Sequence, residues 1–237
     1  MKRQIPNLIT LGNLLCGVIA TGAAVEGNII AAALLICLGI FLDFFDGLTA
    51  RLLNVASPLG KELDSLADVV TSGVAPAFIL FHLIQSGCPV DTPTWVSYLS
   101  VTAFLMPLFA AYRLAKFNLD TRQGHSFLGL PVPSNALIWV GFALSFGDGC
   151  TGWGLATVVI LAVASLIVDI LMVSEVPMFS LKFNFKDLSW KTNAVPYCFL
   201  IGCVAIIAIT RDWYSISIII AWYILLSLIT CKKNHVQ

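Results

Sequence analysis

Four aspartates in an otherwise apolar part of this sequence have the type and spacing to form a reactive site. Asp43 and Asp46 are three positions apart and Asp64 and Asp68 are four apart, so each pair shares one face of a helix. An isolated charge in the apolar core of a membrane costs at least about 2.5 kcal/mol. Four together therefore need compensating partners, and they indicate a functional site.

The two pairs are predicted to face each other across a helical hairpin with its turn near 54–58. In an antiparallel hairpin, residues at the same depth have residue numbers that add to a nearly constant total. Asp43 with Asp68, and Asp46 with Asp64, meet this condition. We therefore expect all four carboxylates at one depth.

Carboxylates this close cannot all be ionised unless cations lie between them. Oxygen ligands of this kind suit Mg²⁺ or Mn²⁺, and two ions are expected. The predicted metal ligands are Asp43, Asp46, Asp64 and Asp68. A protonated cluster without metal is the alternative.

A basic residue and several small residues follow the aspartates in the same register. Arg51 lies about one helical turn nearer the hairpin turn, and a guanidinium beside divalent ions suits a pyrophosphate. Gly47, Ala50 and Gly60 leave room for a flat nucleotide against the backbone. Tight packing between membrane helices is the alternative explanation for each glycine alone.

The composition predicts the class of fold that positions these residues. The chain has 237 residues, 59% hydrophobic and 11% charged, whereas an ordinary soluble domain has roughly 25% charged residues. The formal net charge is zero, so there is no basic excess for a nucleic-acid partner. We predict an all-α, polytopic membrane bundle that forms one integral-membrane domain over 1–237.

Eight apolar runs are long enough to approach the roughly 20 residues that a spanning helix needs. They lie near 8–25, 28–53, 59–86, 95–117, 131–147, 151–175, 194–210 and 213–231. The first run is expected to be retained, because no signal-peptide cleavage site follows it.

The positions of lysine and arginine predict the orientation. If the N-terminus is cytoplasmic, twelve of the thirteen basic residues lie on or near the cytoplasmic side, and only Arg211 lies outside. Both termini and the aspartates are then cytoplasmic, in the cell (inner) membrane. The loop at 177–195 mixes aromatic residues with lysine and is expected to lie in the membrane interface.

The seven cysteines are scattered without any Cys-x-x-Cys spacing. Small buried hydrophobic side chains are favoured over metal or redox chemistry. Pairing of Cys88 with Cys150 stays open, and His125 is expected to be a solvated loop residue.

The aspartate motif is similar to the signature of the CDP-alcohol phosphotransferase family. It reads Asp43-Phe-Phe-Asp46-Gly47-Leu-Thr-Ala50-Arg51, eight further residues, and Gly60-Lys-Glu-Leu-Asp64-Ser-Leu-Ala-Asp68, with all eight signature positions present. The resemblance implies a six-helix core over 1–176, usually dimeric, followed by two extra helices at 194–231. It implies that the first three aspartates bind metal and that Asp68 is the general base and an additional metal contact. It also implies that Gly47, Ala50, Arg51 and Gly60 contact the CDP moiety.

Within that family the chain most resembles the integral-membrane phosphatidylserine synthases. The segments that carry this resemblance are Pro6-Asn7-Leu-Ile-Thr10-Leu-Gly-Asn13, Arg113-Leu-Ala-Lys116-Phe-Asn118, Gly129-Leu-Pro131-Val-Pro133 and Leu171-Met-Val-Ser174. It implies transfer of a phosphatidyl group from CDP-diacylglycerol to L-serine with release of CMP, and it implies that Asn7 and Thr10 help to cover the nucleotide. Lys116 stands where that pattern often has arginine.

Arg113 and Asn118 are the candidate acceptor-binding residues. An arginine near the cleft could select the carboxylate of serine, whereas snorkelling to lipid head groups explains a basic residue at a helix end without any site. Glycerol phosphate or an inositol phosphate as the acceptor would keep the same chemistry. A divalent-cation transporter is the alternative from another class, and it is disfavoured because the outward halves of the helices carry few carboxylates.

Overall fold

The structure is a computed structural model of the chain, and it describes residues 4–55, 57–88, 96, 98–119, 127–147, 153–179 and 190–234. Several residues used in the sequence predictions fall outside these ranges: Lys2, Arg3, Asp91, Arg122, His125, Asp148, Cys150, Lys182 and Lys186. For Lys191, Cys231, Lys232 and Lys233 the structure describes the backbone and not the side chain. The orientation, the solvation of His125, the pairing of Cys88 with Cys150 and most of the interfacial loop therefore stay predictions.

In the part of the chain that the structure describes, eight long helices lie close to the eight predicted spans. They are α1 (Gln4–Val25), α2 (Ile29–Leu52), α3 (Pro58–Gly87), α4 (Tyr98–Leu119), α5 (Val132–Phe146), α6 (Leu155–Val173), α7 (Trp190–Thr210) and α8 (Ser215–Asn234). The first turns of α4, Tyr98–Phe104, are a 3₁₀ helix. The all-α bundle predicted from the sequence is confirmed.

The outer surface of the bundle suits lipid. Five helices, α1, α2, α3, α4 and α6, are long and apolar enough to cross a membrane, and α5 and the apolar parts of α7 and α8 are shorter. Large apolar side chains point outward, among them Leu8 (65% exposed), Phe44 (67%) and Leu48 (39%). Such a belt would be an aggregation liability in water and is favourable against acyl chains.

Small residues let the first helices pack closely. Ala20 and Ala24 of α1 and Ala32 and Ala33 of α2 are buried in one apolar cluster, which also takes in residues of α3 and α5. Small side chains allow helix backbones to approach one another, which is the usual basis of association between helices in membranes.

A π-helical segment, Val69–Val74, interrupts α3, which the sequence predicted as one regular helix. Pro76 lacks an N–H, so a regular α-helix would leave the carbonyl of Ser72 without its partner, and the wider turn accommodates this. Thr71 in this segment packs against Gly17, and its hydroxyl donates to the carbonyl of Asn13 at 3.0 Å. The irregular turn thus fixes α3 against α1 directly after Asp68.

A two-residue antiparallel ladder, β1 (Phe127–Leu128) with β2 (Pro177–Met178), joins the segment before α5 to the segment after α6. The sequence patterns did not predict it. Gly129 follows with φ of 73°, and a Cβ there would lie 2.8 Å from the carbonyl oxygen of Ser174, so only glycine fits. This close approach fixes the ladder to the end of α6.

Another buried carboxylate, Asp169 of α6, lies in a polar network between α5 and α6 and was missed by the sequence analysis. Its Oδ1 accepts a hydrogen bond from Asn135 Nδ2 at 3.0 Å, and Asn135 Oδ1 accepts one from Trp139 Nε1 at 3.0 Å. Asp169 and Asn135 are fully buried. One asparagine therefore satisfies two buried polar groups at once.

Replacing Asn135 by alanine should destabilise the protein by about 1–3 kcal/mol, because it leaves Asp169 Oδ1 and Trp139 Nε1 buried without these partners. The measurement is the thermal unfolding midpoint of the purified protein in detergent. Ser165→Ala is the matched control, since the buried Ser165 hydroxyl bonds only the local Ala162 carbonyl among the described residues. Equal midpoints for the two variants would contradict this role of Asn135.

Candidate active site

A short, well-capped turn brings the two aspartate pairs together. After α2, Asn54 adopts a left-handed conformation with φ of 53°, and Val55 N–H bonds back to the Ala50 carbonyl at 3.0 Å. Ser57 then caps α3 by accepting a hydrogen bond from Gly60 N–H at 3.0 Å. The predicted turn near 54–58 is confirmed, so α2 and α3 run antiparallel with their aspartates facing one another.

Three of the four aspartates form a close group. Single carboxylate oxygens of Asp43, Asp46 and Asp64 all lie within 4.8 Å of one another. Three hard oxygen ligands from two adjacent helices are a donor set that Mg²⁺, Mn²⁺ or Ca²⁺ accepts. The residues present therefore fit a divalent ion, and an ion there would offset the repulsion among them.

Asp68, the fourth predicted metal ligand, is not one of the three carboxylates whose oxygens lie within 4.8 Å of one another, but it interacts electrostatically with all three. It is only 9% exposed, and its Oδ1 accepts a hydrogen bond from Asn13 Nδ2 at 3.5 Å. It also interacts electrostatically with Arg113. Asp68 thus neighbours the triad and has, in addition, an asparagine and an arginine as partners.

A cleft of about 240 Å³ opens beside the triad, and its walls come from α1, α2 and α3. It is lined by Pro6, Asn7, Thr10, Asp46, Gly47, Ala50, Arg51, Val55, Ser57, Gly60, Lys61 and Asp64. The six residues that the sequence assigned to CDP binding, Asn7, Thr10, Gly47, Ala50, Arg51 and Gly60, are all among them.

Two glycines of the cleft differ in what surrounds them. A Cβ on Gly47 would meet nothing within 4 Å, so this position borders open space. A Cβ on Gly60 would lie 3.2 Å from Asn7 Oδ1, so a side chain there would press on the first turn of α1. Gly47 thus keeps the cleft wide, and Gly60 lets α1 approach α3.

Thr10 and Lys61 have contacts that the sequence did not predict. The Thr10 hydroxyl donates a hydrogen bond to the carboxylate of Asp46 and so ties α1 to the triad. Lys61 Nζ donates to the backbone carbonyl of Asn118 at 3.1 Å, which links the cleft to the end of α4. The only signal for Lys61 in the sequence was its place inside the aspartate motif.

Arg113 is buried, so the snorkelling interpretation is wrong for this residue. Its side chain is 9% exposed, and its guanidinium lies 5.3 Å from the ring centre of Phe117. It faces a second, small pocket formed by the end of α4, β1 and the end of α6. The lining residues of this pocket, here called the arginine pocket, are Arg113, Lys116, Phe117, Leu128, Met172, Val173 and Ser174.

Asn118 and Lys116, at the end of α4, both contact neighbouring segments of the chain. Asn118 Nδ2 donates to Ser65 Oγ at 2.9 Å, which joins α4 to α3. Lys116 Nζ pairs with Glu175 at 3.2 Å, beside the arginine pocket. Asn118 therefore contacts α3 and is not among the residues that line the arginine pocket.

The chain matches the CDP-alcohol phosphatidyltransferase family over residues 3–170. It is 34% identical over 172 residues to a Bacillus subtilis protein named CDP-diacylglycerol–serine O-phosphatidyltransferase, covering 73% of this chain and 88% of that protein. Proteins of the same name are 28% identical over 220 residues in Methanocaldococcus jannaschii (92% of this chain, 91% of that one) and 30% identical over 248 residues in Helicobacter pylori (97% and 95%). The family match includes the whole aspartate motif.

Proposed function

Because the chain belongs to the CDP-alcohol phosphatidyltransferase family, we propose that it transfers the phosphatidyl group of CDP-diacylglycerol to the hydroxyl of L-serine and releases CMP. The observation that carries this proposal is the aspartate triad, which borders an open cleft and interacts electrostatically with Asp68, which in turn interacts with a buried arginine. The names of the relatives supply serine as the acceptor.

The cleft is the proposed nucleotide site. Gly47 and Ala50 let the cytidine approach the backbone of α2, and Asn7 and Thr10 of α1 cover it. The exposed Arg51 pairs with the pyrophosphate as a fixed guanidinium. The diacylglycerol tails stay among the apolar side chains that face the lipid.

Asp43, Asp46 and Asp64 hold the divalent metal, which we propose to be Mg²⁺ or Mn²⁺, most simply as two ions. When bound, the metal neutralises charge on the pyrophosphate and on the departing CMP. The Thr10 hydroxyl holds Asp46 in place from α1. The triad is a metal site of the type expected for phosphoryl transfer, and Asp68 is proposed as an additional metal contact beside it.

Asp68 is the proposed general base. It takes the proton from the serine hydroxyl as that oxygen attacks the lipid phosphorus and the bond from phosphorus to the CMP oxygen breaks. Asn13 and Arg113 on either side keep this carboxylate in position. Arg113 is also the proposed partner of the serine carboxylate. Asn118 is proposed to support the acceptor site by holding the end of α4 against α3.

The protein is an integral membrane protein, as its apolar helices and its family require. We propose that it resides in the cell (inner) membrane with both termini and the active site in the cytoplasm, where CDP-lipid and serine meet. A homodimer is the proposed assembly. The proposed domain organisation is one membrane domain, with the catalytic core at 1–176 and two further helices at 194–231.

Purified protein should convert labelled serine to labelled phosphatidylserine when supplied with CDP-diacylglycerol and Mn²⁺ or Mg²⁺, with one CMP released per lipid formed. Parallel assays with glycerol phosphate and inositol phosphate test the acceptor. CMP release with either of these and none with serine would overturn the acceptor assignment. Metal flux into proteoliposomes without any CMP release would contradict the proposed enzymatic function and favour a divalent-cation transporter.

Replacing Gly47 by leucine should weaken CDP binding by at least about tenfold, because the new side chain would enter the open cleft without disturbing packing. The measurement is calorimetric titration of the detergent-solubilised protein with CDP and Mn²⁺. Gly22→Leu is the matched control, since a Cβ at this exposed position on α1 also meets nothing within 4 Å. Equal affinities in the two variants would remove Gly47 from the nucleotide site.

A further inference from the structure

Helices α7 and α8 lie beyond the end of the family match at residue 170, yet α8 packs tightly into the bundle. A Cβ on Gly141 of α5 would overlap Ser217 of α8, so the two backbones are in close contact at this point. The Ser217 hydroxyl donates to the Ile138 carbonyl of α5 at 2.6 Å. The last helix therefore has a fixed position relative to the catalytic core.

Two turns further along α8, Tyr223 reaches the helix that carries Arg113. Tyr223 is 8% exposed and belongs to one apolar cluster with Ala110 and Leu114 of α4, which flank Arg113 in sequence. Tyr223 thus belongs to the same apolar cluster as the part of α4 that carries Arg113. Tyr223 lies outside the matched family region.

Tyr223 also holds the segment that follows the arginine pocket. Its hydroxyl donates to the Phe179 carbonyl at 3.1 Å, and the two rings lie 4.9 Å apart. Phe179 N–H in turn donates to Ser227 Oγ at 3.4 Å. Phe179 directly follows β2, so α8 fixes the chain that leaves Met172–Ser174, one wall of the arginine pocket.

We propose that α8 forms part of the acceptor site, with Tyr223 as a positioning residue that holds Arg113 and the wall of the arginine pocket in the arrangement that binds the serine carboxylate. This inference rests on the proposed function, because it concerns the acceptor of that reaction. It assigns α8 a role in acceptor recognition in addition to anchoring the chain in the membrane.

Tyr223→Phe keeps the ring, which packs against Phe179 and Phe199, and removes only the hydroxyl. The expected result is a rise of about five- to tenfold in KM for serine, the scale of one lost hydrogen bond, with KM for CDP-diacylglycerol and kcat within about twofold of the parent. Ser227→Ala should raise KM for serine in the same direction by less. Initial rates over a matrix of both substrate concentrations give all three constants.

Tyr214→Phe is the matched control, because Tyr214 stacks on Phe146 near the start of α8 and should leave all three constants unchanged. A loss of folded protein would lower the apparent kcat and leave both KM values unchanged, which the matrix separates from the expected pattern. If the parent protein makes phosphatidylserine and Tyr223→Phe has an unchanged KM for serine, the positioning role is wrong while the function stands. If the parent makes none, the proposed function itself fails.

Discussion

Replacing Asp68 by asparagine should lower the turnover of CDP-diacylglycerol with serine by about 10²–10⁴-fold, the usual contribution of a general base. Asparagine has nearly the same shape and can still contact Asn13, so the fold should be kept. Because the three carboxylates of the triad remain in this variant, binding of Mn²⁺ and CDP should fall far less than turnover. CMP release measures the first effect, and titrations with Mn²⁺ and CDP measure the second.

Asp169→Asn is the matched control for this variant. Asp169 is also a buried carboxylate that accepts a hydrogen bond from an asparagine, but it lies between α5 and α6 rather than beside the cleft. Its replacement should leave the rate per folded molecule within a few-fold of the parent. Near-normal turnover in Asp68→Asn would exclude Asp68 as the base, whereas loss of Mn²⁺ binding in that variant would make it an essential metal ligand.

Replacing Asp64 by asparagine should weaken Mn²⁺ binding by more than about 100-fold, because removing a direct ligand exceeds the 10–100-fold cost of changing an outer partner. Asp64 faces both Asp43 and Asp46 across the hairpin, so its loss breaks the triad at its centre. Activity should fall with metal binding and should recover only in part at high Mn²⁺. Electron paramagnetic resonance of unbound Mn²⁺ gives the affinity without depending on turnover.

Glu62→Gln removes a charge from the same turn of α3 at an exposed position and is the control for general electrostatic effects. It should bind Mn²⁺ with nearly the affinity of the parent. If Asp64→Asn and Glu62→Gln weaken Mn²⁺ binding equally, the affinity depends on the overall charge of this turn. The triad would then not be the set of metal ligands.

The parts of the site that follow from local sequence were predictable. The spacing of the aspartates on two helices, the turn between them and the small residues beside Arg51 depend on contacts within about 25 residues of chain. Helical periodicity and a capped turn fix such contacts with few alternatives. The hairpin and the facing carboxylates of Asp43, Asp46 and Asp64 therefore follow from the sequence alone.

The parts that depend on distant segments were missed. Arg113 is buried because α6, β1 and α8 pack against α4. The sequence near Arg113 does not predict these contacts with distant segments. Asp169 and Asn135 form a hydrogen bond between two helices, and the two residues are 34 positions apart in sequence. A lone aspartate in the otherwise apolar run of α6 was the available signal, because a single charge in such a run needs a partner.

The apolar side chains that face outward beside the cleft have a consequence for kinetics. Leu8 of α1 and Phe44 and Leu48 of α2 are exposed on the helices that form the walls of the cleft. A diacylglycerol nucleotide can therefore reach the triad by sideways diffusion within its own leaflet, without leaving the membrane. The quantity that saturates the proposed enzyme is then the mole fraction of donor lipid in the membrane, so diluting the donor with inert lipid slows the reaction while its bulk concentration is unchanged.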